Sequence, residues 1–126
     1  MDAKQHDNIL SITSHIPHLV AYNIVNTSID IQKEKQSDII KYSAGGLRDF
    51  TRIAASNPIM WRDIFIQNKK NTSREIKKFI ANLEDLKHAI ENEDGEKLEE
   101  IFIKTKKIRK EIIKAGQDVS KPDFGR

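Results

Sequence analysis

Apolar residues at Ile9, Ile12, Ile16, Leu19, Val20 and Ile24 recur every three to four positions, which puts them on one stripe of a helix running from near Asp2 to near Thr27. Pro17 falls inside that stripe. Proline has no amide hydrogen and crowds the carbonyl one turn back, so the pattern predicts a kink one turn before Pro17 and an open carbonyl there. After a polar stretch from Asp30 to Gln36, a short helix is expected from Ser37, as N-cap, through Tyr42, stopped by Gly45-Gly46. A second short helix carries Leu47 to Ala55. Asn57-Pro58 is an N-cap followed by proline at the first helical position, where the missing donor costs nothing, and predicts a helix through Trp61, Ile64 and Phe65. Asn68 to Ser73 reads as a polar interruption. Beyond it Ile76, Phe79, Ile80, Leu83, Leu86 and Ile90 form a long seam with a period of about 3.5. Asn92-Glu93-Asp94-Gly95 is a turn, and Leu98, Ile101, Phe102, Ile108, Ile112 and Ile113 line one side of a last helix that ends with Gly116 at C′.

No segment alternates apolar and polar residues, and the prolines and glycines mark helix ends and the kink rather than hairpin turns. The fold class is therefore all-α, one domain over residues 1–126, with a kinked first helix and a long C-terminal antiparallel helical hairpin. Short N-terminal helices cover such a hairpin only in part. The apolar area left over calls for a second copy of the chain, a homodimer.

Composition narrows the function classes. There is no cysteine, hence neither a disulfide framework nor a thiolate metal site. No stretch approaches the ~18 apolar residues of a membrane span, and Met1 to Asp7 lacks an apolar leader, so a soluble cytoplasmic chain is expected, with no membrane partner. Net charge is +3 with 33% of residues charged, so acids and bases are interleaved. The basic run Lys104 to Lys110 has no aromatic residue to stack on bases and reads as a solvated helix face rather than a nucleic-acid site.

Two constellations could carry chemistry. Thr13-Ser14-His15-Ile16-Pro17-His18 places two imidazoles beside the kink. From the residues alone three readings stay open: one histidine satisfying a buried backbone group and the other solvated, a metal site that lacks a third ligand, or an anion site in which His18 donates a hydrogen bond. Gly45-Gly46-Leu47-Arg48-Asp49-Phe50-Thr51-Arg52 is a flexible turn feeding a short helix with two arginines four residues apart. A guanidinium fork near glycine backbone suits a carboxylate, and equally the arginines could pair with surface acids such as Asp49. Trp61 is by default a core residue whose indole N–H finds a carbonyl, and otherwise a pocket wall for a ring. His88 reads as surface. There is no Gly-x-Gly-x-x-Gly after a strand, no Walker loop and no nucleophile elbow, so no reaction is expected from the chain alone.

Taken in order, His6-Asp7, Ser14-His15-Ile16-Pro17-His18-Leu19-Val20-Ala21-Tyr22, Ala44-Gly45-Gly46-Leu47-Arg48-Asp49-Phe50-Thr51-Arg52-Ile53-Ala54 and Pro58-Ile59-Met60-Trp61-Arg62-Asp63-Ile64 resemble the C-terminal domain of the prephenate, arogenate and cyclohexadienyl dehydrogenases of tyrosine biosynthesis. The resemblance runs essentially end to end. Its start falls where the family's second domain starts, and the tail from Ala115 to Arg126 is similar to the ending of some bacterial members, which suggests a natural C-terminus. The resemblance implies a fold like the C-terminal domain of 6-phosphogluconate dehydrogenase, intertwined as a dimer. It implies an N-terminal Rossmann domain, absent here, that holds NAD or NADP and the catalytic base, so that no catalytic residue lies in this chain. Hydride would leave the ring carbon bearing the hydroxyl as the ring carboxylate departs as carbon dioxide, from prephenate or arogenate. Arg52 would clamp a substrate carboxylate, Ser14 and His18 would hydrogen-bond substrate, Gly45 would allow close backbone approach, Trp61 would line the pocket, and Asp7 and Asp49 would stand behind these groups. No metal is implied. Leu47 stands where many members have phenylalanine. The competing reading is a non-enzymatic helical interaction module, with the hairpin seam as its working surface and His18, Arg52 and Trp61 as ordinary structural residues.

Overall fold

The computed structural model describes residues 2–36, 38, 40 and 45–116, and every regular element among them is a helix. α1 (Ala3–Leu10), a π-helical turn (Ser11–His15) and α2 (Ile16–Lys35) follow one another without a break. Asp2 caps the start, its carboxylate accepting from the Gln5 amide at 2.8 Å. The disturbance expected before Pro17 is a widened turn: the Ile16 amide donates to the Ser11 carbonyl, five residues back. Pro17 cannot donate to the preceding turn, and that turn gains a residue instead of breaking.

The first helix runs further than its pattern predicts. Asp30 to Gln36, read as a polar stretch after the helix, continues it to Lys35, and Gln36 closes it in the left-handed region (φ 50°) with its amide on the Gln32 and Lys33 carbonyls. Val25, Ser28, Ile29 and Gln32 carry a half-buried face onward from Ala21, so the periodicity continues through mixed polar and apolar residues. The helix predicted from Ser37 to Tyr42 lies outside the described residues except for Asp38 and Ile40, and the tail beyond Gly116 lies outside them too. Gly45-Gly46, expected to end a helix, lie within α3 (Gly45–Thr51), which passes into a 3-10 turn (Arg52–Ala55).

α4 (Pro58–Gln67) starts as expected: the Asn57 side-chain oxygen accepts from the Ile59 and Met60 amides at 2.9 and 3.2 Å. The interruption predicted over Asn68 to Ser73 shrinks to Asn68 alone, because α5 (Lys69–Glu91) begins at once. Those polar side chains bond sideways rather than leaving the helix. Arg74 Nη2 donates to Asn8 Oδ1 at 2.9 Å and to Asn71 Oδ1 at 2.7 Å, and Asn71 Nδ2 donates to Asn68 Oδ1 at 2.9 Å.

One compact unit ends at Lys78 and another begins at Phe79. In the first, α2 packs on α3 and the 3-10 turn, and the Tyr22 hydroxyl ties it to the Ser56 carbonyl at 3.0 Å. Its buried residues are as much polar as apolar: Ser11, His15, Asn68 and Thr72 beside Ile16, Ala21 and Trp61. In the second, the end of α5 and α6 (Gly95–Lys114) form the helical hairpin, turned at Asn92–Asp94. Glu93 takes φ 55°, Asp94 caps α6 by accepting from the Lys97 amide at 3.1 Å, and Gly116 ends it at φ 76°, the C′ glycine expected. Ala89 is the one buried apolar residue described there, whereas Leu83, Ile90, Phe102 and Ile103 are each more than half exposed.

Candidate functional site

The π turn and α4 bring the first constellation against Trp61. The indole is 7% exposed and lies flat on the His18 imidazole, with ring centroids 3.9 Å apart and planes 20° off parallel. His15 meets the same indole edge-on at 6.1 Å and Phe65 edge-on at 6.5 Å, and Trp61 and Phe65 are 5.5 Å apart. Two histidines three residues apart thus both meet one aromatic cluster, one edge-on and one stacked.

Each imidazole has a polar partner. His18 Nδ1 donates to the Ser14 carbonyl at 2.8 Å, which leaves Nε2 as the nitrogen it can offer a ligand. His15 is buried, and its Nδ1 accepts from Asn68 Nδ2 at 3.2 Å. The same Asn68 nitrogen donates to the Asp7 carbonyl at 3.0 Å. A small polar hollow of about 210 Å³ lies beside these groups, lined by Asp7, Leu10, His15, Ile64, Gln67 and Asn68. Of the open readings of the pair, the one with a solvated histidine is corrected: His15 is buried and His18 is half-buried under the indole. Nor does the Trp61 N–H find the carbonyl expected of it. It is buried without a hydrogen-bond partner among the described residues, with the His15, His18 and Phe65 rings packed around the indole.

Burial holds His15 below the ordinary imidazole value of 6.5; Asp7 opposes this, and His18 and His6 add to it. An unfolded chain therefore takes up a proton near pH 6.5 that the folded chain refuses, and folding weakens as pH falls from 6.5 toward the lower folded value. Urea denaturation should show stability falling on acidification through this window. His15→Gln should flatten that fall, and an unchanged slope in the variant would contradict the assignment.

Of the other expected site residues, Asp7 is exposed on α1, with its carboxylate 3.7 Å from His6 Nδ1 and its carbonyl held by Asn68. Arg52 opens the 3-10 turn and is half-buried, while Gly45 and Asp49 are exposed on α3. A Cβ at Gly45 would meet only Asp49 Oδ2, at 3.7 Å, so packing among the described residues does not demand glycine there. Ser14, His18 and Trp61 thus form one group, and Gly45, Asp49 and Arg52 another, on elements that pack against α2. Asn68 was missed from sequence. An amide flanked by Gln67, Lys69, Lys70 and Asn71 looks like surface, and only the apolar run Ile64, Phe65 and Ile66 ending just before Gln67 hinted otherwise. Among the described residues no cluster of three metal-ligating side chains occurs, and no described helix is long and apolar enough to cross a membrane.

The chain is 40% identical over 109 residues to a cyclohexadienyl dehydrogenase of Zymomonas mobilis, covering 86% of this chain and 37% of that protein. It is 36% identical over 110 residues to a prephenate dehydrogenase of Bacillus subtilis, covering 86% of this chain and 29% of that protein. Among solved structures, a prephenate dehydrogenase from Aquifex aeolicus in complex with hydroxyphenyl propionate and NAD+ superposes with a TM-score of 0.82 at 44% identity, over 89% of this chain and 39% of that one. The chain therefore spans well under half the length of these relatives. Residues 2–104 match the family described as prephenate dehydrogenase, dimerization domain, and the chain belongs to that family.

Proposed function

We propose that this chain is the substrate-binding and dimerisation domain of a prephenate or arogenate dehydrogenase of tyrosine biosynthesis, working in the cytoplasm as a homodimer joined to a separate Rossmann domain. The observation that carries the reading is the His18–Trp61 stack at 3.9 Å, with a buried indole N–H that has no partner among the described residues, in a chain of this family. A buried donor left open in this way is costly unless something outside the described residues accepts from it, and an oxygen on a bound ring acid would do so. The hydroxyphenyl propionate in the Aquifex relative is such an acid.

His18, fixed through Nδ1 on the Ser14 carbonyl, would turn Nε2 toward substrate, donating from it when protonated and accepting when neutral. The Ser14 hydroxyl would add a second polar contact. Arg52 would clamp a carboxylate with its planar fork, and the lack of a side chain at Gly45 would let substrate approach backbone. Asp7 and Asp49 would orient these groups from behind. The regular elements among the described residues are all helices, and none of them follows a strand through the glycine-rich loop that usually cradles a pyrophosphate. NAD or NADP and the catalytic base belong, on this reading, to the Rossmann half. Exposed Leu83, Ile90, Phe102 and Ile103 would be covered by the second copy.

The test is reduction of NAD by prephenate, and separately by arogenate, with this chain fused to a Rossmann domain of the family. Activity is expected only in the fusion. Arg52→Ala should lower kcat/KM on the order of a hundredfold, as loss of a charge-assisted carboxylate contact does. A folded, NAD-binding fusion that oxidises neither compound would overturn the reading.

A further inference from the structure

Asn68 is the single residue between α4 and α5, and it is 9% exposed. Its Nδ2 lies 3.0 Å from the Asp7 carbonyl oxygen and 3.2 Å from His15 Nδ1, while Oδ1 accepts from Asn71 Nδ2 at 2.9 Å. A peptide carbonyl can only accept, so the atom facing Asp7 has to be the amide nitrogen, and this sets which way round the Asn68 amide sits. The other hydrogen of that nitrogen then points to His15. An NH2 group cannot accept, so His15 Nδ1 must carry the lone pair, and the proton of the neutral ring is on Nε2. Three residues later the order reverses: His18 Nδ1 faces the Ser14 carbonyl and carries the proton itself. Neighbouring imidazoles are thus held in opposite tautomers.

These rings are in mechanical series. His15 meets Trp61 in a T-shaped contact, and Trp61 lies flat on His18, so a tilt of His15 passes to the indole and from it to the ring that offers Nε2. Burial favours the same neutral form of His15 that the Asn68 bond selects.

We propose that Asn68 is a positioning residue of the substrate site, holding His15 as its Nε2-protonated tautomer and through it setting the orientation of Trp61 and His18 toward a ring-bearing carboxylic acid. The tautomer assignment stands on the hydrogen bonds alone, and the link to substrate rests on the function proposed above.

Long-range 15N–1H correlation spectra of the histidine-labelled chain should show His15 protonated on Nε2 and His18 on Nδ1. This needs no variant, and a wild-type His15 protonated on Nδ1 would overturn the proposal. Asn68→Asp keeps the shape but replaces the donor with an acceptor, so His15 should move or gain a proton at Nδ1. In the fusion, KM for prephenate should rise about tenfold, the worth of roughly one hydrogen bond, with kcat changed less. Asn68→Gln keeps an amide donor and should retain the wild-type tautomer and most of the affinity. If Asn68→Asp moves the His15 proton yet leaves KM unchanged, the positioning role is overturned while the substrate reading stands. If the wild-type fusion oxidises neither prephenate nor arogenate, the substrate reading is the one that has failed, and the tautomer assignment is judged by the spectra.

Discussion

Trp61→Ala should cost about 3–5 kcal/mol of folding stability, the usual range for emptying a buried tryptophan site. Against a total of roughly 5–15 kcal/mol for a domain, that is a large share. The cost falls at the high end here because Trp61 is one of few buried apolar residues described in its unit and touches His15, His18 and Phe65 together. Without the indole, His18 loses its stacking face and His15 its edge contact, so the site loosens with the core. Trp61→Phe separates the two roles. It keeps an aromatic ring on His18 but removes the N–H, which has no partner among the described residues, so most of the stability should survive while affinity for prephenate falls. Chemical denaturation beside KM for the two variants checks this. Equal stability of Trp61→Ala and wild type would mean that the indole is not a core element.

The second large effect is expected on the hairpin. Leu83 is 54% exposed in the chain by itself and lies on the seam with Ile80 and Ile90. If a second copy covers that seam, each leucine contributes roughly 1.5–3 kcal/mol of burial, and a two-fold interface counts the residue twice. Leu83→Asp removes both contributions and leaves two carboxylates to be desolvated. Sedimentation should give twice the chain mass for wild type at micromolar concentration and a shift toward one chain mass, with reduced thermal stability, for the variant. A wild-type chain that stays monomeric at all concentrations would remove the dimer from the proposed function.

Sequence periodicity was enough to place the helices that rest on local chemistry. Asn57-Pro58 starts α4, and Gly116 ends α6 at positive φ, because capping and φ are properties of a few adjacent residues. The all-α class and the exposed seam from Phe79 to Ile90 follow in the same way from spacing, and the family was legible in the order and spacing of the Ser14 to Tyr22, Ala44 to Ala54 and Pro58 to Ile64 segments. What local pattern could not supply was any decision made by a distant partner. Pro17 announced a disturbance, yet its form is not written in the sequence, and in the structure it is the π turn from Ser11 to His15. Asp30 to Gln36 and Asn68 to Ser73 looked like breaks because polarity was read as solvent, but polar side chains with partners remain on helices. Asn68 is the clearest case. Its neighbours in the chain, Gln67, Lys69, Lys70 and Asn71, are all polar, and it is contact with Asp7 and His15, some fifty to sixty positions away, that fixes which way round its amide sits. A side chain's surroundings depend on which elements meet, and one strand of sequence carries that only through the packing it produces.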